Sequence, residues 1–208
     1  MDERVLVIPA SVIDRLGSFE GFCGDVDRYL PTLMSPDNQT FLPRSQCESD
    51  PSFKQLIPYL ILESDRSELR IFRYTRGLGQ TESRLHSRQS IGVGGHIAIE
   101  DCDGNDPYRT GMRRELEEEM IVPKIFSDEI VGLIYDASND VGRVHLGVVH
   151  RIKVNELQVR PREADVTEAG FVSLELLAAG YERLETWSQL CVAAIYGIDP
   201  AAQRRATG

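Results

Sequence analysis

Cysteine is scarce in this sequence and is spread thinly along the chain. The 208 residues contain four cysteines, at Cys23, Cys47, Cys102 and Cys191. No two of them form the C-x-x-C pair of a structural zinc site, and four are too few for a disulfide-rich secreted domain. We therefore interpret them as free thiols in a reducing compartment.

Long apolar runs are also missing. No stretch approaches the roughly 20 apolar residues that a helix needs to cross a bilayer. The N-terminal apolar run, residues 5–8, is short and has acidic residues before it, unlike a secretory signal. These patterns predict a cytoplasmic protein that has no membrane partner.

Positive charge is in short supply. The chain carries 23 Lys and Arg residues against 33 Asp and Glu residues, a formal net charge of −10 at pH 7. Such a chain repels a polyphosphate, so long nucleic acid is not expected as a partner. A small phosphorylated ligand held through a metal ion stays compatible with this charge.

The remaining composition is that of an ordinary globular protein, with 41% hydrophobic and 27% charged residues. We expect an N-terminal arm (1–55) packed on a main domain (56–200), followed by a flexible tail (201–208). Residues 18–51 are rich in Gly, Pro, Asp and Ser. They could form an arm that selects substrate, or an arm that serves packing or dimerisation, and the pattern does not decide between them.

Apolar periodicity predicts the order of the elements. Residues 56–62 and 69–74 are expected to form a hairpin, and a strand at 87–93 leads into a glycine pair. A helix from 107 to about 120 follows. The later elements are strands at 130–135, 144–154 and 169–172, a short helix to 178 and a long helix over 181–196.

The helix that starts at Pro107 carries most of the chemistry. Asp106 is its expected N-cap. At about 100° per residue, Glu115, Glu118 and Glu119 share one arc, whereas Glu117 points about 200° away. Three carboxylates within one turn repel each other unless a cation lies between them, which favours Mg²⁺ or Mn²⁺. A solvated charged helix is the plainer alternative.

Two adjacent glycines, Gly94 and Gly95, lie at the end of the strand before this helix. Such a pair predicts a close backbone approach or a positive φ, although a plain turn is the alternative. The third glycine of a dinucleotide-binding fingerprint is absent, and the acidic turn at 101–106 lacks the spacing of a calcium loop. His145 and His150 are five residues apart on one strand and face opposite sides, so we expect pairing or core roles for them.

These residues together resemble the Nudix box. In that box a glycine and a spacer glutamate precede a helix with the pattern Arg-Glu-aliphatic-x-Glu-Glu-x-Gly-aliphatic. Residues 114–119 (Arg-Glu-Leu-Glu-Glu-Glu) match its core fully, and Val122 supplies the final apolar residue. Residues 41–45 and 50–56 also resemble a little-characterised bacterial branch of predicted Nudix phosphoesterases.

The resemblance implies an α+β fold, the α/β/α sandwich of Nudix proteins, with a mixed central sheet, flanking helices and an N-terminal elaboration. It implies a Mg²⁺-dependent hydrolase, with Mn²⁺ as an alternative metal. The substrate would be small, phosphorylated and derived from a nucleotide: a nucleoside diphosphate linked to another moiety, cleaved in its diphosphate linkage. A homodimer, formed through the N-terminal arm, is a further expectation.

The resemblance also assigns roles to residues. The metal would be held by Glu115, Glu118 and Glu119 together with the carbonyl group of Gly95. Arg114 would orient these carboxylates as part of the catalytic group.

Substrate would be bound by Gly94, Gly95 and His96. The general base is expected to be Glu163, with Asp165 and Glu168 behind it.

The sequence departs from the family pattern at two places. Gly95 and Arg114 are 19 positions apart where the pattern has 14, so the spacer glutamate has three candidates, Glu100, Asp103 and Asp106. Ile121 stands where the pattern has its second glycine, so the helix should end differently, with Pro123 as a stop.

Two other functions fit parts of the pattern. A catalytically silent Nudix module could bind a nucleotide or sugar-nucleotide as a sensor, although the intact set of three glutamates counts against it. An isopentenyl-diphosphate isomerase relative would need a catalytic cysteine and further metal-binding histidines. The cysteines lack that context. The substrate itself is left open by the sequence.

Overall fold

The chain folds into twelve strands and six α-helices within the part that the structure describes. The computed structural model describes residues 2–75, 88–103, 106–162 and 167–198. The strands are β1 (Arg4–Pro9), β2 (Gly21–Cys23), β3 (Thr40–Pro43), β4 (Phe53–Ser64), β5 (Arg70–Thr75), β6 (Gln89–Ser90), β7 (Gly92–Val93), β8 (Met120–Ile121), β9 (Ile125–Tyr135), β10 (His145–Val154), β11 (Arg160–Pro161) and β12 (Thr167–Ser173). The helices are α1 (Ala10–Leu16), α2 (Val26–Leu33), α3 (Arg44–Cys47), α4 (Pro107–Glu119), α5 (Leu174–Ala179) and α6 (Thr186–Tyr196).

The fold class is α+β, with a mixed sheet and flanking helices, as predicted. The chain divides into two compact units, each built from three segments. The first unit comprises Met1–Tyr59, Gly94–Glu118 and Ile130–His150, and the second comprises Leu60–Val93, Glu119–Glu129 and Arg151–Gly208. The predicted arm boundary at residue 55 stays a prediction. The predicted tail, 201–208, lies outside the described residues.

In the first unit, β1 joins the N-terminal residues to the segment that follows the glycine pair. One side of β1 pairs with β3, and its later residues pair with β4, where Val7 lies opposite Gln55. Val5 forms an antiparallel bridge with Ala98, and the Leu6 backbone N–H donates to the carbonyl of Ile97 at 2.8 Å. The N-terminal residues are therefore built into the same sheet as the segment after Gly95.

The second unit contains the predicted hairpin. The last part of β4 pairs antiparallel with β5, where Glu63 lies opposite Ile71, and β12 pairs with the other side of β5. The short strands β6 and β7 pair with β5 and β4, and β8 and β11 form a separate two-stranded sheet.

Two predicted elements of the second unit are interrupted. The strand expected over 87–93 breaks at Ile91, because the Ile91 N–H donates to the Ser188 hydroxyl at 3.0 Å instead of to a neighbouring strand. The long helix expected over 181–196 breaks before Thr186. Leu184 bridges to Gln89 in parallel, and the Glu185 N–H donates to the Gln89 carbonyl at 2.9 Å. Extended backbone at these two residues ends the helix pattern.

None of the four cysteines, all of which lie within the described residues, forms a disulfide bond. None of the helices within the described ranges is long and apolar enough to cross a membrane.

Candidate metal and substrate site

Helix α4 forms as the sequence predicts. A carboxylate oxygen of Asp106 accepts a hydrogen bond from the Arg109 backbone N–H at 3.0 Å, which is the expected N-cap. Its apolar stripe, Met112, Leu116 and Met120, is 3–5% exposed. This burial fixes which side of the helix presents its acidic residues.

Arg114 brings two of the three predicted metal ligands together. Its Nη1 group donates to Oε1 of Glu115 at 2.8 Å and to Oε2 of Glu118 at 3.1 Å. The Glu115 side chain is 15% exposed, whereas that of Glu118 is 58% exposed. Glu119 is the last residue of α4, and its carbonyl accepts from the Arg162 N–H at 2.8 Å. Its role as a ligand stays a prediction.

Asp101 is the carboxylate that holds Arg114 from the other side. Arg114 donates from Nε to Oδ1 of Asp101 at 2.9 Å and from Nη2 to Oδ2 at 3.0 Å, a bidentate pair. The Asp101 pair is the largest contribution that raises the pKa of Arg114, and the His96 carbonyl accepts a further bond at 2.9 Å. The guanidinium group is therefore fixed between the strand end and the helix.

The assignment of the spacer position to Glu100, Asp103 or Asp106 stays a prediction, but the carboxylate that pairs with Arg114 is that of Asp101, which was not among the three. Glu100 is exposed, and Asp106 is used as the N-cap of α4. The glycine at position 111, inside a predicted helix, was a sequence signal that another group packs closely against this helix. A Cβ atom at Gly111 would lie 2.5 Å from Oδ2 of Asp101, so this glycine inside a helix makes room for a carboxylate.

Both glycines at the strand end are required, as predicted. Gly94 has φ +144°, and a Cβ atom there would lie 2.0 Å from the carbonyl oxygen of Pro58. A Cβ atom on Gly95 would lie 2.4 Å from Oε2 of Glu115. The backbone at Gly95 therefore touches the carboxylate of the first predicted metal ligand.

The negative charge of Glu115 is only partly balanced by Arg114. Burial raises the pKa of its carboxyl group, the bond to Arg114 lowers it, and the charge of Glu118 raises it again. A cation with oxygen ligands would offset both burial and repulsion. In the described chain, no three His, Cys, Asp or Glu side chains already stand at metal-binding distances. The carboxylates turn towards Arg114 instead.

The two histidines nearest the strand end face each other. Nε2 of His96 lies 3.3 Å from Nε2 of His145, and Nδ1 of His145 lies 2.7 Å from the carbonyl oxygen of Val141. A carbonyl only accepts, so Nδ1 of His145 carries the hydrogen. Burial lowers the pKa of both imidazoles, that of His96 to about 3. In the neutral pair, His96 donates from Nε2, and its Nδ1 is left as an acceptor.

His150 has a separate place. Its Nε2 atom lies 2.9 Å from the Tyr108 hydroxyl, and the two rings stack in the core. It thus takes the core role predicted for it.

Of the three candidates for the general base, the structure describes Glu168. Glu163 and Asp165 lie outside the described residues. Glu168 accepts hydrogen bonds from Thr75 at 3.1 Å and from Gln89 at 3.2 Å, within the second unit.

The helix exit differs from the family pattern, as predicted. Helix α4 ends at Glu119 and passes directly into β8, where Ile121 pairs with Arg160. Pairing of β8 with β11 thus takes the place of the turn that a glycine at position 121 would form in the family pattern. The prediction that Pro123 stops the helix was wrong, because the helix ends four residues earlier, at Glu119.

Comparison with known proteins places this geometry in a family. No protein-family model matches the chain. Protein YmaB of Bacillus subtilis (strain 168) is 34% identical over 203 residues, an alignment that covers 92% of this chain and 97% of YmaB. The crystal structure of Tm1382, described as a candidate Nudix hydrolase, is 28% identical with a TM-score of 0.76, covering 95% of this chain and 100% of that one.

A more distant structure shares the fold alone. It is a bifunctional NMN adenylyltransferase/ADP ribose pyrophosphatase from Francisella tularensis, complexed with AMP and a Mn ion. It is 12% identical with a TM-score of 0.50, covering 69% of this chain and 41% of that one. The glycine-bounded carboxylates on α4, the arginine that orders them and the full-length match to YmaB and Tm1382 agree, and the chain belongs with YmaB to the Nudix hydrolase superfamily.

Proposed function

We propose that the chain is a Mg²⁺-dependent hydrolase of a diphosphate linkage in a nucleoside diphosphate attached to another moiety. The observation that supports it most directly is the contact between Gly95 and Glu115, with Glu118 held on the same arginine. A helix that is merely solvated does not need a glycine against one of its carboxylates. Carboxylate and carbonyl oxygens are ligands that suit Mg²⁺, and Mn²⁺ is the alternative metal.

In this proposal, Glu115, Glu118, Glu119 and the Gly95 carbonyl hold the metal. The bound metal supplies Lewis-acid stabilisation of the phosphate and lowers the pKa of water. Arg114 keeps two carboxylates in place through Nη1 while Asp101 fixes its other nitrogens, which limits the reorganisation needed when a metal enters.

A general base completes the proposal. Glu163 is the first candidate, and Asp165 is the second. Glu168 is the weaker one, because its carboxylate already accepts two hydrogen bonds. The base would take the proton from the water that attacks phosphorus.

Glu118→Gln tests this function, with Glu117→Gln as the matched control. Both side chains are exposed and belong to the same turn, but only Glu118 lies on the arginine-bound arc. A panel of nucleoside diphosphate derivatives is incubated with Mg²⁺ or Mn²⁺, and a phosphatase then releases phosphate from the two phosphomonoester products. This coupled phosphate release should fall by about 100-fold or more in Glu118→Gln. Glu117→Gln should turn over normally.

The alternative function predicts a different result. A catalytically silent module would bind one of these compounds without hydrolysing any of them. Wild-type turnover in Glu118→Gln would likewise refute the assignment of the site. A cytoplasmic location and a homodimer stay predictions.

A further inference from the structure

Strand β9 has a sheet edge that is only partly covered. Its neighbours in the sheet are β10 on one side and β2 on the other, and β2 pairs with β9 at Leu133–Tyr135 alone. Among the residues that the structure describes, no strand therefore pairs with residues 125–132 on the β2 side. The backbone N–H and C=O groups along such an edge can pair with a strand of another chain.

The first part of this strand is exposed on both faces. Every residue from 123 to 129 is exposed, although residues 125–129 belong to β9. Ile125 and Phe126 are each 45% exposed. Because successive side chains of a strand point to opposite faces, each face carries one of these apolar groups. A sheet edge of this kind attracts another strand unless a charge, a proline or another element protects it.

One face of the segment carries a self-complementary pattern of charge. Lys124, Phe126 and Asp128 alternate along the chain and therefore share a face. The Nζ atom of Lys124 lies 4.7 Å from the centroid of the Phe126 ring, so these two side chains are neighbours on it. The positive charge stands two residues before the ring and the negative charge two residues after it. A copy of the segment turned by 180° about Phe126 thus places each charge opposite one of the other sign.

Two-fold symmetry restricts how two copies of this edge can pair. Between antiparallel strands the axis passes through a residue pair, so one residue must lie opposite its own copy. With Phe126 at the axis, Lys124 lies opposite Asp128 of the second copy, and the symmetry repeats this pair. With Ile125 or Ser127 at the axis, no opposite charges face each other. Charge complementarity therefore favours the register that is centred on Phe126.

We propose that residues 123–129 pair antiparallel with the same residues of a second copy, in a homodimer that has Phe126 at its two-fold axis. The two phenylalanine rings pack at the axis, and a Lys124–Asp128 ion pair lies on either side of them. Seven residues from each chain bury less surface than a standard interface, so the dimer dissociates in the micromolar range.

This inference goes beyond the proposed function and does not depend on it. It assigns dimerisation to β9, in place of the N-terminal arm expected from the sequence.

Exchange of the two charges tests the register. Sedimentation equilibrium of the full chain gives the dissociation constant of the dimer. Lys124→Asp places two pairs of like charges in the interface, and Asp128→Lys does the same, so each should raise the dissociation constant by about 10-fold or more. The double variant brings opposite charges together again and should restore dimerisation. All these side chains are exposed, so the urea midpoints should stay close to that of the wild type.

Phe126→Asp tests the contact at the axis, with Leu176→Asp as the matched control. Leu176 is 56% exposed and lies on α5, which follows β12. The order of strands places β12 and β9 apart, with β5, β4 and β10 between them. Phe126→Asp should raise the dissociation constant by about 10-fold or more, because two acidic groups then meet at the axis. Leu176→Asp should leave it unchanged.

Three results would overturn the proposal: a wild-type chain that stays monomeric up to about 100 µM, unchanged association in the charge variants, or a double variant that associates no better than the single ones. A dimer that persists in Phe126→Asp would assign association to another surface, such as the N-terminal arm. Charges that only protect the edge would give the opposite sign, with stronger association after Lys124→Asp.

Discussion

Replacing Gly95 with alanine tests whether the strand end positions Glu115 for reaction. A Cβ atom on Gly95 lies 2.4 Å from Oε2 of Glu115 and 2.7 Å from its Cδ atom. Gly95 does not have a positive φ, so alanine adds no backbone strain of its own. The steric clash is therefore between the added methyl group and the Glu115 side chain, which can move.

The size of the effect follows from that distance. Ordinary contact with a Cβ atom begins at 3.4 Å, so the Glu115 carboxylate must retreat by about 1 Å. A displacement of this size at a reacting centre costs about 100-fold in rate, or about 2.7 kcal/mol of transition-state stabilisation. The free energy of unfolding should change by less than about 1 kcal/mol, because only a side chain moves.

The assay compares Mg²⁺-dependent hydrolysis, read as phosphate after a phosphatase step, with urea denaturation. Gly94→Ala is the control, because its φ of +144° and the 2.0 Å distance to the Pro58 carbonyl put the conflict in the backbone. That variant should lose stability as well as activity. Gly95→Ala should lose activity alone, and it should add nothing to the loss in Glu115→Gln. Normal turnover in Gly95→Ala would refute the role given to Glu115.

Two further predictions concern buried charge. Asp101→Asn leaves the half-buried Arg114 without its bidentate partner and should cost about 2 kcal/mol in urea denaturation, with exposed Glu100→Gln as a neutral control; equal midpoints would contradict this. Burial, and then the charge of Glu63, raise the pKa of Tyr196 well above its usual range. A raised pKa gives stability that is complete below the unfolded value, near pH 10, and is lost above it. The free energy of unfolding should therefore fall above about pH 10, less steeply in Tyr196→Phe; identical slopes would exclude Tyr196 as the cause.

The elements nearest the proposed chemistry could be predicted because their signals are local. The N-cap at Asp106, the stripe through Met112 and Leu116 and the constraint at the glycine pair each depend on a few neighbouring residues. Helical geometry alone then places the carboxylates on one arc. The superfamily resemblance rests on the same short stretch.

The parts that could not be predicted depend on contacts distant in sequence. The helix expected over 181–196 breaks because Leu184 and Glu185 bind the backbone of Gln89, about 95 residues earlier, and periodicity contains no trace of that partner. Asp101 was missed for a related reason. Counting back from Arg114 gave three acidic candidates, and only the packing of Gly111 distinguishes the carboxylate that fits.

Strand β4 shows why the partners of a buried polar residue cannot be predicted from the sequence. Three of its buried polar residues are Lys54, Gln55 and Glu63. Lys54 donates to the carbonyls of Pro51 and Arg143, and Glu63 binds Arg151 through two hydrogen bonds.

In sequence, Lys54 and Gln55 precede the apolar run of β4 and Glu63 follows it, so all three look like polar residues at the ends of a strand. Only the structure shows that Lys54 and Glu63 have hydrogen-bond partners, whereas the Gln55 amide has none among the residues that the structure describes.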